Sequence, residues 1–159
     1  MNENAKKILL QMIPDALYVL TSRSGGKTAA STVTWLSQAS FKPPLVMTAL
    51  KKDSHTFQVV QEAKAFVLNY LGEGQKDMAQ KFFKHLEPEG NQLAGETFES
   101  SPTLGYPVFP TMAGFLECRV TDIVDRGDHS VVVAEVVEAA MGSTQGPLLL
   151  SSTGWKYGG

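Results

Sequence analysis

Two turn-closed pairs of strand-forming runs constrain this chain more than any other feature. "ALYVLTSRS" and "TAASTVTWLSQAS" flank the turn "SGGK" at 24–27, and "GFLECRVTDIV" and "SVVVAEVVEA" flank "DRGDH". Runs rich in β-branched and aromatic residues, joined by turns this short, read as antiparallel hairpins, because a parallel connection needs a longer crossover. "PLVMTAL" (44–50) reads as a third strand, apolar enough to be central, "AFVLNYL" (65–71) as a fourth, and "PLLL" as a last short one. Helical periodicity appears only in short stretches. Ala5, Ile8, Leu9 and Met12 share a face before Pro14; Phe57, Val60 and Ala63 share one within "DSHTFQVVQEA"; Met78, Ala79, Phe82, Phe83 and Leu86 share one within "GQKDMAQKFFKHL". Strands do not alternate regularly with long helices, which argues against a doubly wound parallel sheet. The pattern predicts a mainly β fold, a small antiparallel barrel with short flanking helices.

The chain has 159 residues and shows no internal repeat, so a single domain over 1–159 is expected. Its formal net charge is −2 and it carries no basic stripe, which argues against a nucleic-acid partner. Its one cysteine, Cys118, forms neither an internal disulfide nor a cysteine-based zinc site, and fits a reducing cytoplasm. "AKKILLQMIP" is too short and too interrupted for a signal peptide, and no apolar run approaches the ~20 residues that span a bilayer, so no membrane partner is expected.

Most familiar chemical motifs are missing. "GGKT" at 25–28 lacks the earlier glycine of a phosphate-binding P-loop, since position 21 is Thr21. No G-x-G-x-x-G or G-x-S-x-G occurs, and His55, His85 and His129 lack partners at metal-ligand spacing. Two stretches stand out. In "KKDSHTF" (51–57) a strand ends and a helix begins, with Asp53 or Ser54 as N-cap. Free amides, the helix dipole, the hydroxyls of Ser54 and Thr56 and the charges of Lys51 and Lys52 favour an anion there; a plain helix start beside solvated lysines is the competing reading. In "TWLSQASFKPPL" (34–45), small polar groups alternate about a Trp. Thr32, Thr34, Leu36 and Gln38 fall on one strand face, and Val33, Trp35, Ser37 and Ala39 on the other. The pattern suits a slot for a flat ligand with apolar faces and polar edges, against the alternative of a half-exposed strand. Pro43 and Pro44 should end the ladder and keep the exit extended. His129 would sit at a hairpin tip.

Four stretches in this order, "TVTWLSQASFKPPLV", "KKDSHT", "FVLNYLGEGQKDMAQKFF" and "LECRVTDIVDRGDHSVVVAEVVEA", resemble the flavin reductase-like family of FMN-binding, Greek-key split β-barrels, over roughly 13–159. The ending "TGWKYGG" is similar to flavin reductase domains, including those fused to cyanobacterial flavodiiron proteins. The resemblance implies a homodimer that binds FMN along Thr34, Trp35, Leu36, Ser37 and Gln38, with its phosphate at Ser54 and Thr56 near Lys51. It sets His129 near the nicotinamide site as the catalytic candidate. NAD(P)H would be the co-substrate, and NADH and NADPH stay open because no ribose-reading motif stands out. The implied reaction is hydride transfer to FMN, with backbone N–H groups around Ser37 and Gln38 facing the reduced ring. The unperiodic segment 87–110 would serve as a lid, and a flavin- or electron-accepting protein as partner. A non-enzymatic FMN electron carrier similar to flavoredoxin is the alternative. Lys42 departs from the acidic residue that relatives often carry before the double proline.

Overall fold

The run 28–40, continuous in strand propensity, is two strands at opposite edges of one sheet. The computed structural model describes residues 1–143 and 145–159. In chain order the elements are α1 (Glu3–Gln11), β1 (Tyr18–Ser24), β2 (Lys27–Val33), β3 (Leu36–Ser40), β4 (Leu45–Lys51), α2 (His55–Ala63), β5 (Ala65–Tyr70) and α3 (Lys76–Lys81). The short strands β6 (Gln92–Leu93), β7 (Glu96–Thr97), β8 (Glu99–Ser100) and β9 (Pro107–Val108) follow. The long β10 (Gly114–Asp125) and β11 (His129–Met141) and a helical turn α4 (Leu150–Thr153) complete them.

The main sheet has the order β2-β1-β5-β10-β11-β4-β3, antiparallel throughout. β2 and β3 lie at its two ends, yet only Thr34 and Trp35 separate them. Three Cα steps span at most ~11 Å, so the sheet must curl until its edges meet. Two register shifts in the β10–β11 hairpin, at Glu117/Cys118 and Val120/Asp122, supply local bends. The result is the predicted mainly β split barrel, open where the two edges part.

The hairpin turns follow local chemistry. Gly25 and Gly26 have φ of 53° and 81°, which a two-residue turn between twisted strands requires. β3 and β4 also form a hairpin, in the register Leu36↔Thr48 and Ser37↔Met47, so residues 41–44 reverse the chain instead of holding it extended. α3 stops at Lys81, earlier than its sequence periodicity suggests, and the Phe82 carbonyl instead accepts a hydrogen bond from Thr32 N at 3.1 Å. "PLLL" makes only isolated bridges, Gly72 with Pro147 and Ala16 with Leu149, before α4 begins.

β1 is buried on both faces, which is why its sequence alternates only weakly. Leu20 joins Val46, Leu50, Phe57, Val60, Phe66, Leu68, Cys118, Val132 and Ala134 in one core. Val19 joins Leu17, Leu71, Phe82, Leu93, Phe98, Phe109 and Met112 in the other. The second core takes in the connection 87–110, which is clamped by named groups. Glu117, fully buried, accepts from Thr103 N at 3.0 Å, from Leu104 N at 2.7 Å and from the Ser101 hydroxyl. Asn69 Oδ1 accepts from Phe109 N at 3.2 Å.

Candidate functional site

A cleft of about 700 Å³ opens at the parting of the two sheet edges. Residues 30–35 of β2 and the crossing line one side, Ala49, Leu50 and Lys51 of β4 another, the start of α2 its floor, and residues 82–85 and Trp155, Lys156 and Tyr157 its rim. Its lining holds three lysines and three histidines and, among the described residues, no aspartate or glutamate. For a chain of net charge −2 this is a strong local bias towards anions.

The anion-favouring end is built by α2. Ser54 is the N-cap, with φ −83° and ψ 144°; its Oγ accepts from Phe57 N at 3.1 Å and donates to the Lys51 carbonyl at 2.7 Å. The first amides of the helix precede any intrahelical acceptor and carry the positive end of the dipole. Asp53 is not the cap: its carboxylate lies 3.1 Å from Lys51 Nζ. Thr56 is buried, with its Oγ1 2.7 Å from Ser31 Oγ, so two hydroxyls share one position beside the helix start.

The ring-favouring end is aromatic. Trp35 lies 4.8 Å from the His129 ring and 5.1 Å from the Tyr157 ring, between centroids. His129 is the first residue of β11, paired with Lys51, and so sits one position past the hairpin turn. Its Nδ1 faces Asp128 Oδ1 at 2.9 Å and its Nε2 faces the Tyr157 hydroxyl at 2.9 Å. The hydrogen bond from His129, followed by its charge, holds the Asp128 carboxyl below the usual carboxylate range. The Tyr157 phenol is pushed up by burial, against the opposing pull of Lys51.

Of the nine sequence-predicted residues, Thr34, Trp35, Lys51, Ser54, Thr56 and His129 line this cleft together. Leu36, Ser37 and Gln38 do not. All three line a separate depression of about 240 Å³ with Tyr18, Pro44, Leu45, Tyr70 and Val136, and Leu36 and Ser37 also line, with Trp35 and Met47, a third of about 480 Å³. Burial pushes the Tyr70 phenol up to about 12. The link between these depressions and the cleft is the backbone of edge strand β3. Ala49 N donates to Trp35 O at 3.0 Å, and the antiparallel alternation then points the N–H and C=O groups of Leu36 and Gln38 outward from the sheet. The Ser37 amide points back towards β4.

The connection 87–110 contributes nothing to the lining of this cleft. Its apolar side chains go to the second core, so the expectation that it is a lid over the site is overturned. The tail around Trp155 and Tyr157 holds that place instead.

The family model described as "Flavin reductase like domain" matches residues 10–158. This chain belongs to the flavin reductase-like family. Among its relatives, the Diflavin flavoprotein A 1 of Synechocystis is 31% identical over 84% of this flavin reductase-like chain and 23% of its own length. The stachydrine N-demethylase reductase subunit Stc3 of Rhizobium meliloti is 31% identical over 77% of this chain and 52% of its own. The chain thus spans from about a quarter to about half of the curated relatives it matches. The solved NADH:FAD oxidoreductase SgcE6 of Streptomyces globisporus, in complex with NAD and FAD fragments, shares the fold. Its TM-score is 0.81 at 22% identity, over 94% of this chain and 87% of that one.

Sequence reasoning missed three features of this family member's cleft. His55 and His85 pack with centroids 4.0 Å apart at the rim, their planes tilted by 47°, where the sequence showed only that neither has a partner at metal-ligand spacing. Ser31 had no reason to stand out until Thr56 was placed beside it. Tyr157 carried only one signal, an aromatic close to the end of the described chain.

Proposed function

We propose that this chain is an NAD(P)H-dependent FMN reductase, holding FMN with its ring system near Trp35 and its phosphate at the start of α2. The observation that carries this reading is the polarity of one cleft. Aromatic rings gather around Trp35 and His129, the hydroxyl-rich start of α2 lies beyond Lys51, which pairs with His129, and no described carboxylate lines the cleft. These groups suit a ligand that is flat at one end and singly phosphorylated at the other. The relatives add support, since one is named a reductase subunit and another an NADH:FAD oxidoreductase.

Bound FMN would supply the redox chemistry by accepting a hydride from the nicotinamide. The chain's own groups bind and orient. Ser54 and Thr56 hydroxyls and the first amides of α2 hold the phosphate, and Lys51, shared with Asp53, adds charge. Of the Ser37 and Gln38 amides that the resemblance suggested, the outward-facing one of Gln38 offers a donor to the edge of the ring system. His129 presents Nε2 to the polar substituent of the second ring. No acid–base pair is required, which fits a cleft without carboxylates.

A homodimer is part of this proposal. Leu9 and Met12 of α1 are 64% and 69% exposed, and no residue of α1 is buried, so the helix's apolar face has no intrachain partner. The protein is also proposed to pass reduced flavin or electrons to a protein partner, in keeping with the relatives' names.

The test is anaerobic mixing of FMN-loaded protein with NADH and, separately, NADPH. Loss of the visible flavin absorption with either supports the reductase. Retention with both, alongside full reduction by a chemical reductant, overturns it in favour of a protein-fed electron carrier.

A further inference from the structure

Tyr157 already occupies the position that a second flat ring would need. Its ring packs against Trp35 at 5.1 Å between centroids, the planes inclined by 58°, and its hydroxyl lies 2.9 Å from His129 Nε2. The Asp128 carboxylate accepts a hydrogen bond from Nδ1–H at 2.9 Å, so in the neutral imidazole Nε2 is the acceptor and the phenol donates to it. Burial raises the Tyr157 pKa, which keeps the phenol a donor. A six-membered ring with a polar hydrogen-donating substituent, packed against one aromatic and bonded to one imidazole, reproduces what a nicotinamide and its carboxamide amino group would present to the same pair.

The tail is anchored on both sides of this residue. Trp155 packs on Phe83 at 4.8 Å and lies under Lys76 Nζ at 5.1 Å. Gly158 lies so close to Trp35 that a Cβ there would meet Cζ2 at 3.0 Å, and its carbonyl accepts from Gln11 Nε2 at 3.0 Å. Between these anchors Tyr157 is 46% exposed, held by its tilted packing on Trp35 and one hydrogen bond. Its side chain can therefore leave without the tail detaching.

We propose that Tyr157 is an internal surrogate for the nicotinamide ring: it fills the Trp35–His129 seat in the free protein and is displaced when the dinucleotide binds. The inference rests on the reading of this cleft as the NAD(P)H-dependent site. It makes Tyr157 a competitor of the substrate and a determinant of its affinity, with the flavin phosphate anchor untouched.

The test uses FMN-loaded protein titrated with the non-reducing probes NAD⁺ and NADP⁺, by calorimetry, in wild type, Tyr157→Ala and Tyr157→Phe. Removing the ring abolishes a ring packing and a hydrogen bond that the ligand must otherwise displace. Tyr157→Ala should therefore bind the better of the two probes roughly 5- to 100-fold more tightly. Tyr157→Phe, which keeps the ring packing and loses the bond, should fall between. With the reduced nucleotide, KM should drop in the same order while kcat stays within about twofold, as expected for loss of ground-state competition. Weaker binding in Tyr157→Ala would make Tyr157 a wall of the site and overturn the proposal, as would affinity equal to wild type. Failure of every variant to bind either probe while still binding FMN would remove the dinucleotide reading, and the surrogate with it. Failure to bind FMN would refute the flavin site itself.

Discussion

Replacing Thr56 with valine separates recognition of the phosphate from recognition of the ring. Thr56 is buried, and its Oγ1 lies 2.7 Å from Ser31 Oγ at the second position of α2. Valine keeps the branched shape and deletes one hydroxyl. Within the protein this removes one neutral hydrogen bond, about 1 kcal/mol of stability. In the complex it also removes a hydrogen bond to a charged phosphate oxygen, worth roughly 1.5–3 kcal/mol, or about 10- to 150-fold in Kd. Riboflavin has the same ring system and no phosphate, so its affinity should not change. The assay is quenching of flavin fluorescence, titrated in parallel with FMN and riboflavin on wild type and Thr56→Val, with a thermal melt to show that the variant is folded. Ser54→Ala is a poorer probe, because Ser54 Oγ caps Phe57 N and its loss costs about 1 kcal/mol of helix stability as well. Equal weakening of both flavins, or unchanged FMN affinity in folded protein, would refute the placement of the phosphate.

Glu117→Ala should lower stability by about 3 kcal/mol, since the buried Ser101 hydroxyl and the part-buried amides of Thr103 and Leu104 lose their charged acceptor; at this chain length that is a fall of roughly 6–12 °C in Tm. Burial, followed by the charge of Glu117, pushes the Cys118 thiol up to about 12 from an ordinary 9.0. The folded chain thus keeps a proton that the unfolded chain releases: this stability is complete below pH 9 and is lost as pH rises towards 12, which denaturant melts across that range would register. Substituting Leu9 and Met12 of α1 together with glutamate should shift the sedimenting species from dimer to monomer; a wild type that already sediments as a monomer would exclude that interface.

The hairpins were legible because their signals are local. Gly25 and Gly26 sit where positive φ is required, and "RGD" leaves room only for a tight turn between two long strands. The helix start at Ser54 was legible for the same reason. What the sequence hid was decided by distant partners. Nothing in "TVTWL" breaks strand propensity, because the break at Thr34 and Trp35 arises from one chain supplying both edges of a curled sheet. The short α3 ends where Phe82 turns its carbonyl to Thr32, fifty residues away in sequence. The connection 87–110 looked like a functional or mobile lid because its order comes from Glu117 and Asn69, neither of which lies within it. His55 and His85, thirty residues apart, meet only in the fold. The resemblance named the residues that line the cleft at Thr34, Trp35, Lys51, Ser54, Thr56 and His129, and it could not divide them from Leu36, Ser37 and Gln38, which line other depressions on β3.

A crystal structure of the protein grown with saturating FMN tests the central claim most directly. The account predicts density for the phosphate within hydrogen-bonding distance of Ser54 and Thr56, and for the ring system in the cleft beside Trp35 and His129. Flavin seated wholly in the depression between β3, Tyr18 and Tyr70, with its phosphate away from α2, would contradict it.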